Sequence, residues 1–207
     1  MKQLRGFPRV CAFWLVFAVL PAVAQVDLYD NGPTDGFDIA WTINYGLEVS
    51  NTFNLTSDST VSGLTFAAWL FPGDVLQTAE VAITSSEFGG TTYFDQIVNF
   101  TTGSCFSNGG FNVCNETGMF PGVNLNAGMY WLNLGNASVP SHDPVYWDQN
   151  SGPSLASENT LGTLTSESFT VLGTPGTSGT TPEPDSLILF GSGILAVVGF
   201  LRRKFSA

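Results

Sequence analysis

The chain has 207 residues and a formal net charge of −11, from 17 acidic residues against six Lys and Arg. All six basic residues lie near the two ends, so residues 25–181 contain 15 acids and no Lys or Arg. Such a body would repel a phosphate backbone, which argues against nucleic acid as a partner. Salt bridges are also excluded there, so apolar burial and backbone hydrogen bonds must stabilise it, with bound cations as a further source of stability.

The N-terminus has the organisation of a secretory signal. Three basic residues precede the apolar run 10–20, Pro21 follows, and Ala22-Val23-Ala24 supplies the small residues that a signal peptidase requires. We therefore expect residues 1–24 to form a signal helix that is cleaved after Ala24. An uncleaved anchor is the alternative, and the short apolar run disfavours it.

An acidic loop follows the predicted cleavage point. Residues 30–38 place Asp30, Asp35 and Asp38 on a Gly-containing segment, and hard oxygen ligands of this kind suit Ca²⁺. Their spacing does not match an EF-hand loop. A solvated acidic turn is the preferred interpretation, and a Ca²⁺ site is the alternative. No other cofactor is expected.

The body, residues 25–173, is predicted to be all-β, an antiparallel β-sandwich or jelly roll. Apolar residues alternate along several short segments, which turn sequences such as Pro72-Gly73-Asp74 and Gly89-Gly90 separate. The residues expected on the inner faces are Leu47, Val49, Phe53, Leu55, Leu64, Phe66, Ala68, Leu70, Ala79, Val81, Ile83, Tyr130, Leu132, Leu134, Phe169 and Val171.

The cysteines of the body suit a disulfide. Cys105 and Cys114 flank eight residues that include Asn-Gly-Gly, which is typical of a bridge across a hairpin in an exported protein. Two free thiols are the alternative. The third cysteine, Cys11, lies in the predicted signal peptide.

Two Tyr-Trp pairs offer a possible carbohydrate-binding surface. Neighbouring residues of a strand point to opposite faces, so one member of each pair enters the core and the other faces outward. Tyr130 shares its face with Leu132, which directs Trp131 outward. Trp131 and Trp147 are therefore the candidates for stacking on a sugar ring, although packing against other parts of the protein is the commoner role of such residues.

Catalytic machinery is not evident in the sequence. The one histidine, His142, lies in a turn sequence, Ser141-His142-Asp143-Pro144, and no nucleophile elbow is present. Paired carboxylates could cleave glycosides, but with 15 acids in the body the sequence cannot nominate a pair. We expect that the protein is not an enzyme, and a secreted hydrolase is the weakest alternative.

The C-terminus resembles a sorting signal. Residues 174–181 read as a flexible linker, and residues 182–207 contain Pro182-Glu183-Pro184, the apolar run 187–201 and the basic cluster Arg202, Arg203 and Lys204. Fifteen helical residues reach roughly 22 Å, so we expect a single, marginal transmembrane helix with its basic end in the cytoplasm.

This tail resembles the PEP-CTERM sorting signal of Gram-negative bacteria, which the membrane protease exosortase processes in cells that make exopolysaccharide. A plain tail anchor is the alternative. The body also resembles a domain type found ahead of such tails, in segments such as Trp69-Leu70-Phe71-Pro72-Gly73-Asp74 and Tyr146-Trp147-Asp148-Gln149-Asn150. That domain type implies a fold but no activity.

The resemblance implies a route through the cell envelope. The body would be exported and held briefly at the inner membrane on its periplasmic side, then released to the cell surface or medium. The leading interpretation is a non-catalytic surface protein associated with exopolysaccharide or biofilm matrix, with signal peptidase and exosortase as its processing partners. A carbohydrate-binding module that uses exposed Trp is the first alternative.

Overall fold

The structure is a computed structural model that describes residues 25–35 and 39–176. Within these ranges the chain forms thirteen β-strands, and none of the described residues lies in a helix that could cross a membrane. The strands are β1 (Val26–Asp30), β2 (Ala40–Thr42), β3 (Glu48–Leu55), β4 (Ser59–Leu70), β5 (Thr78–Ser86), β6 (Gly89–Asn108), β7 (Phe111–Leu125), β8 (Gly128–Ser138), β9 (Tyr146–Asn150), β10 (Ala156–Glu158), β11 (Gly162–Leu164), β12 (Ser166–Glu167) and β13 (Phe169–Pro175).

These strands pair antiparallel in one curled sheet. One half has the order β1-β13-β4-β7-β6, and the other has the order β6-β5-β8-β3-β10-β11. The long strand β6 belongs to both halves, because β5 pairs with it as far as Asn99 and β7 pairs with it from Phe100 onward. Strand β9 lies off this path and pairs with β2, β4 and β12.

The two halves of the sheet share one main hydrophobic core. Alternate residues of the strands point into it, as expected for a sheet with one buried face. Aromatic rings connect its parts: Tyr29 of β1 lies 6.3 Å from Phe53 of β3, and Phe66 of β4 lies 6.0 Å from Trp147 of β9, measured between ring centroids. Burial of these side chains is the main source of stability in a body without salt-bridge cations.

The predicted inner faces are confirmed almost throughout. Of the residues expected in the core, all but Leu47 belong to the main buried cluster. Leu47 precedes β3 and is only half-buried. The all-β antiparallel class is also confirmed, whereas the predicted signal helix and transmembrane helix lie outside the described residues.

The C-terminal end of the body extends further than expected. Strand β13 includes Thr174 and Pro175, and the backbone N–H of Gly176 still donates to the carbonyl of Asp58 at 2.6 Å. The first two residues of the predicted linker therefore belong to the sheet. Because β1 pairs with β13 and places Val26 opposite Gly173, the two ends of the described body lie side by side.

Candidate functional site

A loop of residues 31–35 is fixed against β9 and β12 by two buried asparagines. The Asn31 side-chain amide donates to the Ser166 hydroxyl at 2.7 Å and to the Glu167 carbonyl at 2.5 Å. The Asn150 side-chain amide donates to the carbonyls of Asn31 at 2.9 Å and Gly32 at 3.1 Å. These bonds satisfy the loop backbone and hold it in one position over the two strands.

Asp148, in the middle of β9, is a fully buried carboxylate. The Trp69 indole N–H donates to its Oδ1 at 2.6 Å, and the Thr34 side chain is a second polar neighbour of the carboxylate. Burial raises the pKa of Asp148 to about 6, and the nearby Asp35 carboxylate adds to the rise. Trp69 and the neighbouring Thr34 side chain act in the opposite direction, since both favour the charged form of Asp148.

Glu167, in β12, is a second fully buried carboxylate, and its register opposite Gln149 places its side chain on the other face of the strand pair from that of Asp148. The β12 strand pairs with β9, and the Ser168 N–H donates to the Asp148 carbonyl at 2.8 Å. Neither carboxylate oxygen of Glu167 has a hydrogen-bond partner. Burial raises the pKa of Glu167 well above its usual value, and the charge of Asp148 raises it further. We call Asp148 and Glu167 the buried acidic pair.

The surroundings of the buried acidic pair lack any compensating charge. Residues 25–181 contain no Lys or Arg, so neutralisation requires a proton or a cation from solution. Both carboxylates are 0% exposed, so a polysaccharide cannot contact them in this conformation. This placement does not suit the direct attack on a polymer that a pair of glycosidase carboxylates must make.

Glu116, in β7, is a third buried acid, on a different strand. The Thr102 hydroxyl of β6 lies 3.0 Å from each of its carboxylate oxygens. Burial raises the pKa of Glu116 to about 7, and the bond from Thr102 opposes the rise. Glu116 lies directly opposite Phe66, a core residue of β4.

Sequence reasoning missed these three acids, although their positions carried a signal. Glu167 precedes Phe169 and Val171 at the two-residue spacing of the inward side chains, and Glu116 follows Cys114, a core residue, at the same spacing. The signal by which sequence reasoning can find a buried acid is therefore a carboxylate at an inward position of a predicted strand. Asp148 carried a weaker signal, since it only follows Trp147 within a short apolar segment.

The acidic loop predicted from the sequence is only partly described. Asp30 is exposed, and its Oδ1 accepts from the Gly32 N–H at 2.9 Å, as in a solvated turn. Asp35 lies near Asp148, and Asp38 lies outside the described residues. Asp30 and Asp35 line a cleft of about 390 Å³ between the loop and the turn 150–153. In the described part of the chain no three His, Cys, Asp or Glu side chains form a group that could hold a metal ion. The loop site stays a prediction.

The two candidate tryptophans have different environments. Trp147 is 0% exposed, and its indole N–H donates to the Ser168 carbonyl at 2.9 Å, so it has no face to offer to a sugar. Its selection as a carbohydrate contact was wrong, because β9 is covered and directs this ring into the core. Trp131 is half-buried and belongs to neither hydrophobic cluster. It lies between Thr52 of β3 and Thr84 of β5, opposite both in register.

The predicted disulfide is present. Cys105 of β6 and Cys114 of β7 are bonded and face each other in register, with 4.1 Å between their Cα atoms. His142 is exposed in a turn with a φ of +64°, and its carbonyl accepts from the Tyr45 hydroxyl. No Ser–His–carboxylate arrangement is formed by the hydrogen bonds of the described residues around His142.

The predicted processing signals lie outside the described residues. These are the cleavage residues Ala22 and Ala24, the motif Pro182-Glu183-Pro184, and the cluster Arg202, Arg203 and Lys204. Searches of curated proteins and of solved structures found no match to the chain. A comparison with family models matched residues 180–204 to the PEP-CTERM protein-sorting motif. That motif implies sorting toward the cell surface by an exosortase-type system. The chain thus carries a PEP-CTERM sorting tail behind an antiparallel all-β body.

Proposed function

We propose that the chain is a non-catalytic surface or extracellular protein, delivered by exosortase-type sorting and associated with exopolysaccharide or biofilm matrix. The sorting motif at residues 180–204 is the observation that carries this proposal. The acidic body supports it, since a net negative charge favours solubility outside the cell. The disulfide between Cys105 and Cys114 is also typical of an oxidising compartment.

Processing of both ends tests the sorting route. In a host that contains exosortase, we expect the mature protein to begin at Gln25 and to lack the apolar tail. The triple variant Pro182→Ala, Glu183→Ala, Pro184→Ala should keep the tail and remain in the membrane fraction, because the protease no longer recognises its motif. Intact-mass spectrometry and cell fractionation measure both results.

A matched control changes residues just before the matched motif. The triple variant Thr177→Ala, Ser178→Ala, Gly179→Ala should be processed like the wild type. A wild-type product that still extends to Ala207, or processing that survives loss of Pro-Glu-Pro, would contradict exosortase sorting. The result would then favour a permanent tail anchor.

Carbohydrate binding through Trp131 is the second candidate function. Its support is the position of the half-buried indole, which lies outside both hydrophobic clusters and is flanked by the polar residues Thr52 and Thr84. A partly accessible ring can stack on the face of a sugar, whereas the hydroxyls of Thr52 and Thr84 are buried and bond within the protein.

A pull-down with exopolysaccharide from the producing cell tests this second candidate. Trp131→Ala should reduce the retained protein about tenfold, the scale of one lost aromatic anchor. Phe106→Ala is the control, because Phe106 is an aromatic residue that is 47% exposed and lies on β6, away from Trp131 on β8. Equal retention of wild type and Trp131→Ala would remove Trp131 from the binding surface.

A further inference from the structure

A cleft of about 450 Å³ lies on the outer face of the sheet, which is the face turned away from the main core, between the loop 31–35 and β7. Residues from four strands line it: Asp30, Thr65, Ala67, Asn115 and Thr170. Ligand clefts usually have volumes of about 300–1,000 Å³, so this cleft is large enough to hold part of a ligand. We call it the outer cleft.

A row of threonines crosses the outer cleft and continues onto β7. Thr170 lies opposite Thr65, and Thr65 lies opposite Thr117. The residues on either side of Thr65 belong to the main core, so the Thr65 side chain points outward. Its hydroxyl makes no hydrogen bond within the described residues, and the Thr170 hydroxyl donates only a long one, to Asp30 Oδ1 at 3.4 Å. Both hydroxyls can therefore bond to a ligand.

Aromatic rings extend this face from the outer cleft toward the β6–β7 turn. Ala67 of the cleft and Trp69 belong to the second, smaller hydrophobic cluster. Phe111 packs against it, with its ring centroid 5.7 Å from that of Trp69 and 5.8 Å from that of Tyr146. Phe111 and Tyr146 are half-buried, so part of each ring is accessible. Phe111 lies six residues from Thr117 on β7, which gives the face a length of roughly 20 Å.

The charge of this face restricts the chemistry of its ligand. Asp30 is the only acid among the described residues that line the outer cleft, and residues 25–181 contain no Lys or Arg. An acidic polysaccharide, an acidic peptide or a nucleic acid would therefore be repelled. Free hydroxyls beside accessible aromatic rings suit a neutral sugar, whose hydroxyls exchange hydrogen bonds and whose apolar face stacks on a ring.

We propose that the outer cleft and the Phe111 ring together bind a strand of neutral polysaccharide. One sugar unit would lie in the cleft and bond to the hydroxyls of Thr65 and Thr170 and to the amide of Asn115. A further unit would stack on Phe111. This inference rests on the proposed association with exopolysaccharide, and it names the surface and the class of polymer. The surface is distinct from that of Trp131, which lies on β8 in the other half of the sheet.

Retention of the exported protein on polysaccharide-coated beads tests the proposal. The exopolysaccharide of the producing cells is first separated by anion exchange into a neutral and an acidic fraction, and the wild type should bind only the neutral one. Thr65→Val removes the hydroxyl but keeps the size and branching of the side chain. Phe111→Leu removes the ring but keeps apolar packing against Trp69. Each variant should reduce retention on the order of tenfold.

Matched controls change the same residue types elsewhere in the body. Thr78→Val alters a half-buried threonine of β5, and Phe120→Leu alters a half-buried phenylalanine that stacks on Phe94. Both controls should be retained like the wild type. The melting temperature of each variant separates a lost contact from a fold defect, and Thr65→Val decides the test if Phe111→Leu does not fold.

Other outcomes overturn the proposal in distinguishable ways. Equal retention of the wild type, Thr65→Val and Phe111→Leu would leave the association with exopolysaccharide intact but place it on another surface. Preference for the acidic fraction would show that charge does not select the polymer. No retention of the wild type by either fraction would overturn the association itself as well. A wild-type dimer that Phe111→Leu converts into a monomer, measured by light scattering, would assign the face to a second copy of the chain.

Discussion

Trp147 and Trp131 each follow a tyrosine in a strand, yet they contribute to the molecule in different ways. Trp147 contacts Phe66 and Phe169, with ring centroids 6.0 Å and 5.6 Å away, and is fully buried. Trp131 lies on the other face of its strand from the core residues Tyr130 and Leu132. The first ring is a packing element, and the second is available for a surface role.

Substitution of these two residues should affect stability unequally. We expect Trp147→Ala to lower the free energy of unfolding by about 3–5 kcal/mol, because it opens a large cavity and removes one of the two donors to the Ser168 carbonyl. Trp131→Ala should cost about 1 kcal/mol, a typical value for a residue that is not in the core. Urea unfolding followed by circular dichroism measures both. Equal losses would show that Trp131 is also a core residue.

Glu116 makes stability depend on pH in a defined direction. Its pKa is about 7 in the folded protein against 4.5 ordinarily, so the folded state holds the proton more tightly than the unfolded state does. The contribution of Glu116 to the free energy of unfolding is therefore fully present below pH 4.5, and it is lost as the pH rises to about 7. The raised pKa values of Asp148 and Glu167 act in the same direction.

We expect the melting temperature to fall as the pH rises from 5 to about 7, and Glu116→Gln to make this fall smaller. A pH series followed by circular dichroism measures the slope, with Glu87→Gln, an exposed acid between β5 and β6, as the control that leaves it unchanged. A melting temperature that rises over this range, or a slope unaffected by Glu116→Gln, would contradict the assignment.

Residue identity alone predicted the core well and the buried acids poorly. Phe66, Leu132 and Val171 were assigned correctly because apolar side chains at alternate positions have one stable placement, in the core. An acid at such a position has several possible placements, since a strand can twist, bulge or end there. The environment of Asp148 depends on the loop 31–35, whose Thr34 and Asp35 reach it from a distant part of the chain.

At the level of elements, β6 and β7 are the two longest strands of the described residues, and together they form one hairpin. Its strands have 20 and 15 residues, and the Cys105–Cys114 bond lies close to its turn. Beyond Phe100, β6 is mostly exposed, so few core contacts hold this part of the hairpin. The disulfide therefore replaces packing that this segment lacks.

Removal of the disulfide should destabilise the protein without changing its fold. The double variant Cys105→Ser, Cys114→Ser should lose about 2–3 kcal/mol, the loop-closure value for a bridge between residues nine apart in sequence. Ser107→Ala, in the same strand, is the control. Urea unfolding gives the difference. The wild type should show no reactive thiol without reductant, and two reactive thiols would contradict the bridge.

The long hairpin also shows where prediction of elements from sequence fails. Residues 100–112 are rich in Thr, Ser, Asn and Gly and lack apolar alternation, because much of β6 there faces solvent. Pairing with β7 and the disulfide, rather than a buried face, makes this segment a strand. The short strands β2, β10 and β11 were missed because they are only three residues long and pair with partners distant in sequence or across a tight turn.

At the scale of the whole molecule, charge separates the chain into parts with different roles. The body contains no Lys or Arg, so no basic side chain there competes with the clusters at the two ends for the cytoplasmic side of a membrane. The all-β class and the sorting motif could both be predicted from sequence, because each depends on local patterns. The curl of the sheet through β6 could not, since it results from a change of pairing partner at Phe100.

The pairing of β1 with β13 determines where a reporter can be attached. Val26 lies opposite Gly173, so a fluorescent protein fused before Gln25 would sit at the edge from which the tail departs, where it could hinder a processing enzyme. The β6–β7 turn at Gly109 and Gly110 lies at the other end of β4, beyond the pairing of Leu70 with Asn112. A short epitope inserted there would lie far from both ends of the described body, next to the part of the hairpin that the Cys105–Cys114 bond holds together.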